Sequence, residues 1–347
     1  MENTAIGFPP TTIAVFVALA VIALAIDLFT HKSDKPVSLT NAAVWSVFWV
    51  VISLMFAGYL YVAHGPSVAS LFVTGYALEK VLSVDNLFVF MAIFAWFKIP
   101  DALRHRVLYW GIIGAIVFRL IFVAIGTGLL AFGPWVEVLF AVVVAWTAVM
   151  MLRSKEEDEE EDYSKHIAYR FAKKLFPVWP KLHGHNFFVS RTELEKEITK
   201  PQNKGMTLVG KGALFATPLF LCVVVVEVSD ILFAFDSVPA VIAVSREPLI
   251  VYSAMMFAIL GLRTMYFVLE ALKRYLVHLE KSVIALLFFI AGKLALNATD
   301  HLFGHGYEID PNTSLIVVLV VLAIGVVASI MFPGKEEQSD VKNDTNA

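Results

Sequence analysis

The chain has 347 residues, of which 59% are hydrophobic and 16% are charged, and its mean hydropathy is +0.75. This composition excludes an ordinary soluble enzyme, and a formal net charge of −3 disfavours a nucleic-acid partner. The single cysteine, Cys222, excludes an internal disulfide. We therefore expect a membrane protein that binds no cofactor, and we find no catalytic motif that predicts an enzyme.

Apolar runs long enough to cross a bilayer, which takes about 20 residues of helix, recur along the whole chain. They predict an all-α membrane protein of about nine transmembrane helices. The runs lie near residues 12–30, 42–63, 69–97, 106–131, 134–152, 212–243, 248–272, 281–300 and 313–333.

The basic residues are concentrated in alternate loops. Twelve Lys and Arg residues fall between residues 153 and 211, whereas the loops on the other side contain only Arg246. An excess of Lys and Arg marks cytoplasmic loops. The pattern predicts an N-terminus outside and a C-terminus in the cytoplasm, which an odd number of spans requires.

The segment 153–211 is the only long hydrophilic loop. Seven consecutive acids at 156–162 predict a solvated, disordered run. The stretch 163–176 then predicts an amphipathic helix on the cytoplasmic leaflet, with docking to a protein as the alternative. Its apolar positions are spaced four residues apart, at Ile167, Phe171 and Leu175.

Two apolar segments carry acids in their middle. Each has an acid, five further residues, an Asp and then a small amide or hydroxyl residue. A charge at bilayer depth costs roughly 2.5–3.5 kcal/mol on insertion scales, so a repeated cost predicts a bound cation. The polar residues are Glu79, Asp85 and Asn86 in the first segment and Glu227, Asp230, Asp236 and Ser237 in the second.

Carboxylate, amide and hydroxyl oxygens suit hard or borderline divalent cations such as Mg²⁺, Ca²⁺ and Mn²⁺. No Cys/His cluster lies within the spans to favour Zn²⁺ or Cu⁺. Pure ion pairing is the alternative, because buried bases could neutralise the acids or gate the site. These bases are Lys80, Arg119, Arg263 and Lys293.

We expect the helices that carry the acids to be interrupted. Six residues turn a straight helix by about 240°, so Glu79 and Asp85 would point to different sides. Pro218 and Pro239 in the second segment predict discontinuities that redirect side chains into a cavity.

Spans 3–5 resemble spans 6–8 in the order of their polar residues. Arg119 in span four matches Arg263 in span seven, and Glu137 matches Glu280 at the starts of spans five and eight. Under the predicted orientation the two groups run in opposite directions, as in many secondary transporters. Chance similarity among apolar helices is the alternative.

This repeat divides the chain into five segments. The segments are the first two spans (1–68), repeat A (69–152), the cytoplasmic loop (153–211), repeat B (212–300), and the last span with a polar cytoplasmic tail (301–347).

The acidic segments resemble the signatures of the TerC family. They are Leu-Ser-Val-Asp85-Asn86-Leu-Phe, preceded by Glu79, and Glu227-Val-Ser-Asp230-Ile-Leu-Phe-Ala-Phe-Asp236-Ser237-Val-Pro-Ala. The resemblance implies a bacterial inner-membrane protein with the inverted three-plus-three core of LysE-like transporters. It also implies manganese export, tellurite resistance and cytoplasmic partners such as the TerB and TerD proteins.

Together, residues and resemblance predict efflux of a divalent cation, with Mn²⁺ favoured. The alternative is a membrane anchor that transports nothing and recruits cytoplasmic tellurium-resistance proteins through the 153–211 loop.

Overall fold

A computed structural model describes residues 7–30, 38–153, 167–199, 212–272, 279–304 and 309–331. These residues are mostly α-helical, as predicted. The helices are α1 (Pro10–Thr30), α2 (Leu39–His64), α3 (Pro66–Trp96), α4 (Asp101–Leu129), α5 (Pro134–Arg153), α6 (Ile167–Leu175), α7 (Arg191–Ile198), α8 (Pro218–Val244), α9 (Pro248–Ile259), α10 (Leu262–Leu272), α11 (Leu279–Phe303) and α12 (Pro311–Met331). The strands are β1 (Phe188–Ser190) and β2 (Leu214–Ala216).

Within the described ranges, seven helices are long and apolar enough to cross a membrane: α1, α2, α4, α5, α8, α11 and α12. Counting the bent pair α9 and α10 as one span gives eight. The 31-residue helix α3 does not belong to this set, and it carries Glu79, Lys80 and Asp85 in its middle. The chain is thus an all-α, multi-pass membrane protein, whereas nine spans and the inverted repeat remain predictions.

Helix α3 lies among the other helices of the bundle. It packs against α2, α8, α9 and α12, while α4 packs along α8 and α5 along α11. More than half of its residues are buried, including the charged Glu79. This central position decides which neighbours its polar side chains meet.

The predicted interruptions of the acidic helices are wrong. Both α3 and α8 run without a break through their acidic motifs. Pro218 begins α8, where a proline is tolerated because the first helical N–H groups have no partner within the helix. Pro239 lies within α8 without ending it.

The broken span lies elsewhere, between α9 and α10, which meet at 54°. Leu260 leaves the helical conformation, and Gly261 follows with a φ of +74°. A side chain at 261 would overlap the Trp49 ring, because a Cβ atom there would lie 2.9 Å from Trp49 Cγ. The bend therefore depends on a residue that tolerates positive φ and has no Cβ.

Part of the 153–211 loop folds onto the helix ends. The run 156–162 lies outside the described residues, but α6 is present within the predicted stretch 163–176. Tyr169 packs edge-on against Trp96 of α3, with ring centroids 5.4 Å apart. Helix α6 also packs against α8, so it lies against a helix of the same chain.

A small sheet, which the sequence did not predict, completes this part of the structure. Strands β1 and β2 are antiparallel, with Val189 opposite Phe215. Both side chains are buried together with Trp179 and Leu194. We call residues 167–199 and 212–217 the loop domain.

Replacing Gly261 with Ala is expected to destabilise the protein. The αL conformation costs an L-residue about 1–2 kcal/mol, and the overlap with Trp49 adds to this cost. Thermal unfolding in detergent measures the loss of stability as a lower Tm. Gly58→Ala in α2 is the control, because nothing lies within 4 Å of a Cβ there. Equal stability of the two variants would contradict this account of the bend.

Candidate functional site

A buried arginine joins the first acid of one motif to an acid of the other. Arg119 of α4 donates from Nη2 to Asp230 Oδ1 of α8 over 3.3 Å, and its Nη1 pairs with Glu79 Oε1 of α3. The three residues are between 0% and 4% exposed. Arg119 was predicted as an ion-pair or gating partner of the acids, and the structure places it between two of them.

Neighbouring side chains extend this cluster. Ser83, one helical turn after Glu79, donates from Oγ to Glu79 Oε1 over 3.1 Å. Glu227 lies one turn before Asp230 and close enough for their charges to interact. We call Glu79, Arg119, Glu227 and Asp230 the acidic cluster.

A glycine makes room for the third carboxylate of the cluster. Gly114 of α4 faces Glu227, and a Cβ atom at position 114 would overlap the whole Glu227 carboxyl group. The missing side chain therefore lets α8 present Glu227 directly against the backbone of α4, one to two turns from Arg119.

The acidic cluster contains three carboxylates but a single guanidinium group. Among the described residues, Glu79 Oε2, Glu227 Oε2 and Asp230 Oδ2 are buried and accept no hydrogen bond. Burying an ion without compensation is costly, and carboxylates outnumber the one guanidinium here. The arrangement can therefore attract and hold a further cation.

The remaining predicted ligands lie farther along the same two helices. Asn86 is buried, and its Nδ2 has no hydrogen-bond partner in the described part of the chain. Seven residues are about two helical turns, so Asn86 shares a face of α3 with Glu79, whereas the half-buried Asp85 points elsewhere. Ser237 is buried in α8, and the side chain of Asp236 lies outside the described part.

No three or more His, Cys, Asp or Glu side chains within the described residues are arranged as a ready-made metal site. In the acidic cluster Arg119 lies between Glu79 and Asp230. The seven ligands proposed from the sequence thus remain a prediction.

Arg263, which the predicted repeat matches to Arg119, contacts a different acid. Its Nη2 donates to the main-chain oxygen of Asp27 in α1 and lies 3.9 Å from Asp27 Oδ2. Asp27 is 1% exposed. Asp27 was not among the residues predicted from the sequence, although an acid within the first apolar run carries the same cost of burial as the motif acids.

Lys293 and the Glu137–Arg246 pair also lie outside the acidic cluster. Lys293 of α11 donates from Nζ to Ser314 Oγ of α12 over 3.0 Å. Glu137 at the start of α5 accepts from Arg246 Nη2 over 2.8 Å, and His301 of α11 lies beside both. The gating role predicted for Lys293 stays a prediction.

Residues 64–337 match the family described as "Integral membrane protein TerC family". The chain belongs to the TerC family. The same family was predicted from the two acidic segments.

TerC relatives with two different names are similar to the chain over most of its length. It is 69% identical to the "Tellurium resistance protein TerC" of Serratia marcescens, over 98% of this chain and 99% of the relative. It is 36% identical to the "Putative membrane-bound redox modulator Alx" of Photorhabdus laumondii, over 91% and 93%. No solved structure matches the chain.

Arg119→Met should destabilise this TerC protein strongly. The variant leaves the carboxylates of Glu79 and Asp230 buried without their partner, which costs about 3–5 kcal/mol. Adding Glu79→Gln should restore part of the loss, because one uncompensated charge disappears. Chemical or thermal unfolding of the purified variants measures both effects.

Arg104→Met is the matched control for this experiment. Arg104 pairs with Asp101 and Glu270, whose side chains are 72% and 37% exposed. Exposed pairs contribute about 0–1 kcal/mol. If Arg119→Met lost no more stability than Arg104→Met, Arg119 would not be the residue that compensates the acids.

Proposed function

We propose that this TerC protein is an inner-membrane transporter that exports a divalent metal cation, with Mn²⁺ favoured. The observation that supports it best is the meeting of three carboxylates with the single guanidinium of Arg119, where Glu79 Oε2, Glu227 Oε2 and Asp230 Oδ2 accept no hydrogen bond among the described residues. Hard oxygen ligands suit Mn²⁺ better than soft metals. The proposed ligands are Glu79, Asp85, Asn86, Glu227, Asp230, Asp236 and Ser237.

Nine spans in an inverted arrangement would place the acids between two halves. In this proposal α3 belongs to repeat A and α8 to repeat B, so each repeat contributes one acidic helix. Sites of this kind lie near the bilayer midplane, where two repeats meet. The basic residues of 153–211 support a C-terminus in the cytoplasm.

Arg119 would act as the competitor of the transported ion. A guanidinium and a divalent cation repel each other, so both cannot share Glu79 and Asp230 closely. Metal entry would then move Arg119 away from at least one carboxylate. Release of the metal would restore the ion pairs seen here. In this proposal the paired arrangement is the closed state of the transporter without metal.

Tellurite resistance would follow indirectly from this activity. Oxyanions are bound by Arg, Lys and helix N-termini, whereas the cluster proposed here is acidic. A protein that controls the level of a metal could still alter sensitivity to tellurite. We propose that the name of the tellurium-resistance relatives reflects such an effect.

The second candidate function is a membrane anchor for cytoplasmic proteins such as TerB and TerD. The docked loop domain favours it, because Tyr169 packs on Trp96 and Lys173 lies over the Tyr169 ring. Trp96 and Lys173 also line a cavity of about 430 Å³, together with Trp179 and Pro218. A partner bound there would contact the ends of α3 and α8.

Mn²⁺ uptake into proteoliposomes tests the first function. Glu227→Gln, Asp85→Asn and Asp236→Asn should each lower uptake by at least about tenfold, since loss of a ligand weakens metal binding by more than the 10–100-fold typical of outer-shell changes. Glu270→Gln, at the exposed Arg104 pair, should leave uptake unchanged.

Tellurite resistance in cells separates the two functions. Full resistance in an Asp85→Asn/Asp236→Asn variant that inserts normally would contradict transport as the basis of resistance. Loss of resistance in Tyr169→Ala, with normal Mn²⁺ uptake, would instead support the anchor.

A further inference from the structure

The ammonium group of a lysine lies at the break between α9 and α10. Lys80 of α3 donates from Nζ to the main-chain oxygens of Ala258 and Leu260, each over 3.0 Å. These carbonyls lie at the C-terminal end of α9, where the last four carbonyl groups of a helix have no partner within it. That end also carries the negative end of the helix dipole, which favours a cation.

A buried carboxylate faces the same break. Asp27 of α1 accepts a hydrogen bond through its main-chain oxygen from Arg263, three residues after Leu260, and its Oδ2 lies 3.9 Å from Arg263 Nη2. Asp27 is 1% exposed, and among the described residues neither carboxylate oxygen accepts a hydrogen bond of normal geometry. Main-chain carbonyls and an ammonium group therefore meet at the break, and the Asp27 carboxylate lies beside Arg263 just after it.

Carbonyl oxygens at a helix break that bind a single positive charge resemble the ligands of a monovalent cation site. Carbonyls released by an unwound helix, together with a helix C-terminus, coordinate Na⁺ in membrane transporters. The Lys ammonium is a compact point charge on a flexible stem, and it can occupy such a position. Arg263 does not take its place, since its contacts are with Asp27 rather than with the carbonyls of α9.

We propose that the α9–α10 break is a site for a monovalent cation, and that Lys80 fills it as a tethered substitute for Na⁺. The protein then needs no dissolved Na⁺ to stabilise the broken span. Without the Lys80 ammonium, Na⁺ binds between the carbonyl oxygens of Ala258 and Leu260 and the Asp27 carboxylate.

The site is adjacent to the acidic cluster through α3. Glu79 and Lys80 are neighbours in sequence and point about 100° apart around the helix. Glu79 meets Arg119, whereas Lys80 meets the break. A shift of α3 therefore changes both sites at once, so the cation at the break also supports metal transport, a step that rests on the proposed function.

Thermal unfolding of the purified full chain tests the binding site. Lys80→Ala should unfold at a lower temperature than the wild type in choline chloride. NaCl at equal ionic strength should raise its Tm by a few degrees in a saturable manner. The wild type, and the control Lys293→Ala, which removes a buried lysine elsewhere in the bundle, should not distinguish the two salts.

Further variants guard against a folding defect and test the ligand. Lys80→Ser also removes the ammonium group and leaves room at the carbonyls, so it should show the same response to Na⁺. If both Lys80 variants unfold equally in NaCl and choline chloride, or if the wild type responds as they do, the proposal is overturned. A full Na⁺ response in Lys80→Ala/Asp27→Asn would overturn the assignment of Asp27.

Proteoliposomes distinguish this proposal from the proposed function. Wild-type Mn²⁺ uptake should be equal in Na⁺ and choline buffers, whereas uptake by Lys80→Ala should require Na⁺. Equal uptake by Lys80→Ala in both buffers would contradict the link to transport. If the wild type moves no Mn²⁺, the transport function fails, and the Na⁺ dependence of Tm still decides whether the site exists.

Discussion

The pairing of Arg119 with Glu79 and Asp230 is the contact on which the arrangement of the bundle depends. It joins α3, α4 and α8 by charges that are almost completely buried. An isolated charge at this depth would be strongly unfavourable, so the rotation of each helix must keep the three groups together. That rotation also directs Glu227 towards α4 and Asn86 to the Glu79 side of α3. The candidate site is thus a consequence of helix packing around one guanidinium.

The same physical requirement operates at the break of the α9–α10 span. Backbone carbonyls freed by the bend need donors, because no water replaces them within a membrane. Lys80 supplies these donors, and Asp27 lies beside Arg263 just after the break. Because Glu79 and Lys80 are consecutive, α3 connects an acid-rich site with a carbonyl-rich site. This adjacency gives a physical route by which events at one site affect the other.

The sequence predicted the features that follow from the cost of buried charge. The length of the apolar runs predicted the helical membrane fold, and the acids and Arg119 were identified because they interrupt apolar runs. The position of the helix break was not predictable in this way, since it depends on Gly261 meeting Trp49 of a distant helix. The interruptions predicted from the prolines were wrong, because Pro218 begins α8 and Pro239 is accommodated within it. Strands β1 and β2 were missed because three-residue strands carry little periodicity, and their pairing is a tertiary contact.

If the acids around Arg119 bind a divalent cation through oxygen ligands, electron paramagnetic resonance should detect Mn²⁺ bound to the purified protein. We expect a bound Mn²⁺ signal with oxygen ligands, which weakens in Glu227→Gln and persists in the surface variant Glu270→Gln. No bound Mn²⁺ in the wild type, or an equal signal in Glu227→Gln, would show that these acids do not bind the metal.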